Sequence, residues 1–280
     1  MTTQNKPAIH GHRGARGRRP ENTLPAIEYA LQHAVDGVEV DLCVTADDHI
    51  VLHHDLVLNP SKTRNSRGEW IKRKWIRNRT PIRSLSLEQL RQYDVGQLKS
   101  GTQYAKMFSK QTPVDGASPP TLDECIELIR EYSNVILNLE MKSKPGRPCW
   151  TPEPEHYVSL VLKKLDDLSF PLARVFLQSF DWRLMHLLKQ RQPDLKIGFT
   201  KKHPYKSADL NKAKDAGAGV WSCDYRGLTK PLAREAHSLG LEVYAWTVNE
   251  ERDIKRMAKL DVDTIITDYP ERCRAVLGDE

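Results

Sequence analysis

No run of about 18 consecutive apolar residues occurs anywhere in the chain, so no membrane-spanning helix is indicated. The N-terminal stretch MTTQNKPAIHGH lacks the apolar core that a secretory leader needs. A cytoplasmic protein is the expectation, or a periplasmic one if a leader has been trimmed. Cysteine is scarce: Cys43, Cys125, Cys149, Cys223 and Cys273 are scattered, odd in number and never spaced as C-x-x-C. That argues against a disulfide framework or a thiolate zinc site and predicts reduced, buried thiols. Internal repeats and low-complexity tracts are missing too. So is a strong charge excess outside one segment. The formal net charge is +6, yet nine basic residues against the single acid Glu69 lie between Lys62 and Arg83. Basicity therefore belongs to a local feature and not to the fold.

What is present is an ordinary globular composition over 280 residues, 39% hydrophobic and 29% charged. Short apolar runs alternate with helix-like stretches. The runs are AIHGH (8–12), GVEVDL (37–42), VILNLEM (135–141), RVFLQSF (174–180), KIGFT (196–200), GVWSC (219–223), LEVYAWTV (241–248) and TIITDY (264–269). Several are continuously apolar, the pattern of parallel strands covered by helices. Between them, Leu24, Ile27, Leu31 and Ala34 recur at helical spacing, with Thr23 as N-cap and Pro25 in the first turn. Asp181 caps a stretch that stops at Pro193, Thr121 caps another, and Gly240 closes a third. Eight strands alternating with helices predict an α/β fold, a (β/α)8 TIM barrel in one domain spanning 1–280. An open doubly wound sheet is the alternative.

One run does not fit the count. HIVLHHD (49–55) begins about eight residues after Asp41, too soon for a parallel crossover of a dozen or more residues. The spacing predicts a hairpin turning at ADD, with the chain returning towards the barrel mouth. Residues from 56 to about 119 carry few strand signals, the basic cluster and one helix around LSLEQLRQYD. Such a length predicts a small inserted subdomain after the second strand.

Chemistry in such a barrel is expected at the C-terminal strand ends. There the sequence places His12 and Arg13, Glu39 and Asp41, His54, Glu140 and Lys142, Gln178, and Trp246. Glu39 and Asp41 are two apart on one strand and so share a face, as Asn138, Glu140 and Lys142 do on another. Three carboxylates converging in a barrel interior need a cation, and an all-oxygen set suits one hard divalent ion, Mg²⁺ or Ca²⁺. The competing reading is that Arg13 and Lys142 simply neutralise them as ion pairs. His12 and His54 form a natural acid/base pair, because imidazole exchanges protons near neutral pH. Strand alternation puts His53 on the opposite face. Gly11 and Gly14 are expected to let the backbone turn beside a phosphate, while His10, Arg16, Arg18 and Arg19 serve as rim or support. Metal, cations, base and acid together are what phosphodiester hydrolysis requires.

Taken in order, HRGA…PENT, VEVDL, HHD, LNLEMK, QSF, WTVN and IITDYP resemble the glycerophosphodiester phosphodiesterase family over essentially the whole chain. The resemblance implies a (β/α)8 barrel and metal-dependent hydrolysis of glycerophosphodiesters, such as glycerophosphocholine, to sn-glycerol 3-phosphate and an alcohol. It implies His12 and His54 as catalytic groups and Glu39, Asp41 and Glu140 as metal ligands. Arg13 and Lys142 match phosphate-contacting cations, and Gln178 and Trp246 lie on the substrate side. Many members continue HD with an LDRT-like stretch, whereas this chain reads HHDLVLNPSKT. His54, directly preceding Asp55, matches the family histidine. Glu21 and Asn22 in PENT read mainly as structural, with Glu21 able to orient a catalytic neighbour. The expected partner is a small-molecule glycerophosphodiester, without nucleic acid or stable membrane insertion. Rival readings are a lysophospholipase D-type activity on lysolipids and an anion- or nucleic-acid-binding protein using residues 62–83. For that segment the plainer expectation is a solvated rim that draws in anionic substrates.

Overall fold

A computed structural model describes residues 6–72, 75 and 78–278. Eight parallel strands close into a barrel. They are β1 (Ala8–His12), β2 (Gly37–Val44), β4 (Ile136–Met141), β5 (Val175–Ser179), β6 (Lys196–Lys201), β7 (Val220–Asp224), β8 (Glu242–Trp246) and β9 (Thr264–Thr267). Their order is β1-β9-β8-β7-β6-β5-β4-β2, and β1 pairs with β2 to close the ring, which excludes the open sheet. The outer layer is α1 (Leu24–Gln32), α4 (Leu122–Arg130), α5 (Pro154–Asp167), α6 (Trp182–Arg191), α7 (Ser207–Asp215), α8 (Lys230–Ser238), α9 (Glu251–Lys259) and α10 (Pro270–Leu277). Each covering helix has a stripe that explains its place. In α4, Leu122, Cys125, Ile126 and Ile129 are buried while the acids and Arg130 face out. The outward side chains Val38, Val40 and Leu42 of β2 lie in the same core as that stripe. No helix among the described residues is long and apolar enough to cross a membrane.

The short strand β3 (Ile50–Leu52) runs antiparallel to the end of β2, pairing Leu42 with Leu52 and Val44 with Ile50. A tight hairpin rather than a crossover therefore returns the chain to the barrel mouth, as the eight-residue spacing required. From there to α4 the described chain holds only short helices, among them α2 (Leu87–Leu90) and α3 (Gln103–Met107). A separate small core of Cys43, Val51, Leu58, Ile82 and Leu90 anchors this segment on the outer side of the hairpin.

Several local expectations change. Thr23 stands at the N-cap of α1, but its hydroxyl donates to the Pro20 carbonyl instead of capping a helix amide. Cys149 is exposed, unlike the four other cysteines, which are buried thiols. Gly14 has φ +80, and a Cβ there would lie 2.5 Å from the Ala26 carbonyl carbon, so its demand comes from the close approach of α1. Gly11 is likewise confined by the Gly14 carbonyl. The basic cluster is not a uniform solvated rim. Lys62 is buried, Arg64 pairs with Asp94 and Asp115, and Arg83 pairs with Asp48, so acids outside the cluster tie these three down. Arg67 and Lys72 are exposed, whereas Arg73, Lys74 and Arg77 lie outside the described residues.

His10 is not at the rim. It points into the barrel floor, where Asn138 Nδ2 lies 3.3 Å from its Nδ1 and Tyr244 meets its ring edge-on at 5.5 Å. Burial, aided by Lys196, lowers its pKa from 6.5 to about 3, so the fold holds a neutral imidazole. Stability from this group is complete above the ordinary pKa and is lost as pH falls from 6.5 towards 3, by about 1.4 kcal/mol per pH unit. His10→Gln is expected to lose about 2 kcal/mol less than the wild type between pH 7 and pH 5 in urea unfolding. An unchanged pH slope would remove His10 from the acid response.

Candidate active site

Strand register brings the site together. Asp41 pairs with Glu140, which pairs with Gln178, while His12 pairs with Glu39, which pairs with Asn138. Partners in a parallel register point the same way, so these side chains all face the barrel axis near its C-terminal mouth. A cavity of about 980 Å³ opens there, lined by His12, Arg13, Glu39, His54, Glu140 and Lys142 at one end.

Glu39, Asp41 and Glu140 each offer an oxygen, and the three oxygens lie within 4.8 Å of one another. Burial and repulsion from Asp41 and Glu140 raise Glu39 well above the usual carboxylate range. Burial opposes ionisation of Asp41 as well, but Arg13 and Lys142 outweigh it and hold that carboxyl well below its ordinary value. Lys142 Nζ sits 2.7 Å from Glu140 Oε1 and 3.5 Å from Asp41 Oδ1, and Arg13 Nε is 3.1 Å from Asp41 Oδ2. The ion pairs of the plainer reading are thus formed. They leave oxygens short of donors: Glu39 Oε1 and Asp41 Oδ1 are buried and accept no hydrogen bond among the described residues, although Asp41 Oδ1 has the Lys142 ammonium 3.5 Å away. Two buried carboxylate oxygens that accept no hydrogen bond, beside a third carboxylate, suit a hard divalent cation, which ion pairing alone does not replace.

The two histidines are held alike. His12 Nδ1 lies 2.7 Å from Asp268 Oδ1, and His54 Nδ1 lies 3.1 Å from Asp55 Oδ1. Carboxylates accept, so each Nδ1 carries the proton and each Nε2 is left with its lone pair. His12 Nε2 is 3.8 Å from Glu39 Oε2, beside the acidic trio. Burial and the Arg16 guanidinium lower the His12 pKa to about 4, against the pull of Asp268. Burial and Arg13 lower His54 as well, although its side chain keeps about a third of its surface at the cavity wall. Of the doubled histidines, His54 lines the cavity, whereas His53 is buried with its Nδ1 2.6 Å from the Asp55 carbonyl oxygen.

A family model for the glycerophosphoryl diester phosphodiesterase family matches residues 12–272, from the first of these histidines through Asp268 and into α10. The chain belongs to that family. It is 28% identical to a glycerophosphodiester phosphodiesterase of Caldanaerobacter subterraneus subsp. tengcongensis, covering 95% of this chain and 96% of that protein. A solved structure from Silicibacter pomeroyi, assigned to the glycerophosphoryl diester phosphodiesterases, superposes with a TM-score of 0.91 at 32% identity, covering 97% of this chain and 93% of the other. An Oleispira antarctica phosphodiesterase, solved in complex with its product sn-glycerol-3-phosphate, shares the fold at 22% identity and a TM-score of 0.76, covering 96% of each chain.

Within this family frame, residues outside the expected catalytic set hold that set in place. Asp268, in IITDYP, accepts from His12 and takes a bidentate contact from Arg16 at 2.8 and 2.9 Å. Arg16 is therefore part of the His12 support and not only a rim cation. Asn249, in WTVN, donates to Asp268 Oδ2 at 2.7 Å and accepts from the Asp268 amide at 2.9 Å. Asn22, with φ 54, donates to Asp41 Oδ2 at 2.8 Å and accepts from the Asp41 amide at 3.0 Å. Both motifs carrying these residues are visible in the sequence, but no spacing rule says which strand end each one meets.

Glu21 does orient a neighbour: it pairs with Arg13 at 3.0 Å. It also binds Lys62 and accepts from the Tyr104 hydroxyl, both from the inserted segment. Lys62 reaches Asp55 as well, at 3.0 Å. A single buried ammonium thus ties the acid behind Arg13 to the acid behind His54. Lys62 was counted in sequence as one more basic residue, because no local pattern marks a lysine as buried.

Gln178 and Trp246 both line the cavity. The Gln178 amide is engaged by the floor: Nε2 donates to Asn138, and Oε1 accepts from Thr200 and Ser222. Trp246 meets Phe180 edge-on at 5.7 Å, and its buried Nε1 has no hydrogen-bond partner among the described residues.

Proposed function

We propose that this chain hydrolyses glycerophosphodiesters to sn-glycerol 3-phosphate and an alcohol, using His12 and His54 as its acid/base pair and one divalent cation, Mg²⁺ or Ca²⁺. The observation that carries this reading is the acidic trio, with two buried oxygens that accept no hydrogen bond, set beside two imidazoles whose Nδ1 atoms are each pinned by a carboxylate. The Oleispira protein of the same fold, solved with sn-glycerol-3-phosphate, supports the choice of product class.

Glu39, Asp41 and Glu140 would hold the cation, whose chemistry is Lewis-acid polarisation of a phosphoryl oxygen. Arg13 and Lys142 bind the remaining anionic oxygens, and their existing ion pairs keep them in place without a solvent-exposed search. One imidazole Nε2 takes the proton of the attacking hydroxyl, and the other delivers a proton to the oxygen of the departing alcohol. Asp268 and Asp55 keep each ring in the required tautomer and stabilise it while it carries two protons. The ring that acts as base starts neutral, whereas the ring that acts as acid must first take a proton from solvent on Nε2, because its resting proton is held on Nδ1 by a carboxylate.

The test is release of sn-glycerol 3-phosphate from glycerophosphocholine and glycerophosphoethanolamine, before and after exhaustive EDTA treatment. EDTA is expected to lower the rate by about 10²-fold or more, and Mg²⁺ or Ca²⁺ added back is expected to restore it. Undiminished activity after chelation would remove the cation from the reading. No release from any glycerophosphodiester under either condition would remove the activity itself.

A further inference from the structure

The cavity extends well past the phosphate end. At its far end it is lined by Thr200, Lys201, Lys202, Asp209 and Lys212, from β6 and α7. Lys201 is spoken for: its Nζ lies 2.5 Å from Asp209 Oδ2. Lys202 follows β6 on the side of Gly198 and Thr200, the side whose register partners Gln178 and Ser222 face the barrel axis. The Lys202 and Lys212 ammonium groups make no side-chain hydrogen bond or close ion pair with another described residue, and Asp209, already paired with Lys201, is the carboxylate whose field Lys212 shares. One carboxylate therefore stands against three ammonium groups at this end of the cavity.

The phosphate does not need these lysines, because Arg13, Lys142 and the acidic trio already serve it at the opposite end. Nor do the aromatic rings of the wall form a free cage for a quaternary ammonium: Trp182, beside Thr200, is packed against Phe199 and Trp221. Phe180 is 43% exposed at the mouth, but the Lys142 ammonium already lies 5.9 Å from its ring centre. Three cations against one carboxylate around one space describe a receptor for oxygen-rich negative charge.

Resting on the reading above, we infer that the far end is an alcohol-side subsite for an anionic substituent. The favoured substrates are then glycerophosphodiesters whose leaving alcohol carries a second negative group, a phosphomonoester or a carboxylate. A choline or ethanolamine headgroup would place its ammonium among unneutralised lysines.

A matched pair tests this with the metal-loaded enzyme: glycerophosphoinositol and glycerophosphoinositol 4-phosphate, which differ by one phosphate, with glycerophosphocholine as a cationic reference. The readout is kcat/KM from sn-glycerol 3-phosphate release. The wild type is expected to favour the 4-phosphate over both others by about tenfold or more, and Lys202→Gln/Lys212→Gln is expected to cut that preference at least fivefold. Both lysines are exposed, so the variant is expected to fold. Equal use of the matched pair, a preference for glycerophosphocholine, or a preference unchanged in the variant would each overturn the subsite while leaving the phosphodiesterase reading intact. Hydrolysis of none of the three would overturn both.

Discussion

His12→Ala and His54→Ala are each expected to lower kcat for glycerophosphodiester hydrolysis by about 10²–10⁴-fold, the usual range for loss of one general acid or base. The double variant is expected to fall little further than either single one, because the two imidazoles act in one proton exchange and their losses do not add. Asp268→Asn provides the sharper control. The carboxylate only accepts, so it fixes the proton on His12 Nδ1; an amide can donate there and reverse the tautomer. The variant keeps the shape of the side chain yet is expected to lose roughly 10²-fold or more in kcat, with KM changed far less. Circular dichroism and urea unfolding separate this from misfolding. Near-wild-type turnover in His12→Ala or His54→Ala would end the acid/base assignment for that residue.

Lys62→Met carries the largest expected stability effect. Lys62, Glu21 and Asp55 form one ionic junction, and the Lys62 and Glu21 side chains retain 5% and 8% of their surface. Burial opposes the charge on Lys62, but Asp55 and Glu21 outweigh it and raise its pKa. Glu21 is lowered to about 2 because Lys62 and Arg13 overcome its own burial. Removing the ammonium leaves Asp55 without its cation and Glu21 with Arg13 alone of its two close cations, at an expected cost of about 3 kcal/mol in unfolding free energy. Activity is expected to fall as well, by roughly tenfold or more, since Arg13 and His54 lean on these two acids. Asp55→Asn combined with Lys62→Met is expected to recover part of the stability, since the carboxylate left without its cation is then gone. If Lys62→Met costs less than about 1 kcal/mol and leaves kcat intact, the junction is only a surface-strength ion pair.

Legibility varied with how local the cause was. Barrel strands were legible as continuous apolar runs, and the hairpin was legible from distance along the chain, because eight residues cannot make a parallel crossover. Glu39 and Asp41 could be placed on one face from strand periodicity alone. Helix α4 was legible through its Thr121 cap and α6 through Asp181, while the reciprocal contact from Glu124 came only with the structure. Asp268 was not, although its motif was in view. A carboxylate 256 residues from the histidine it orients leaves no local signature. His10 was expected as rim or support, and only barrel closure decides for support by showing that its strand position faces the floor. The basic segment misled for the same reason: charge counts see Lys62, Arg64 and Arg83 but not the acids that meet them from elsewhere.

The amino-acid sequence by itself determined the family, the order of strands and helices, and the residue types available at each strand end. Those follow from periodicity and motif, which are short-range properties of the chain. Tertiary structure alone decided which carboxylate stands behind which histidine, which oxygens are left without donors, and that Lys62 is interior. The opposite end of the cavity, with Lys202 and Lys212, was also beyond sequence. Electrostatic effects of this kind depend on distances between distant segments and on the exclusion of water, and neither exists until the barrel has closed.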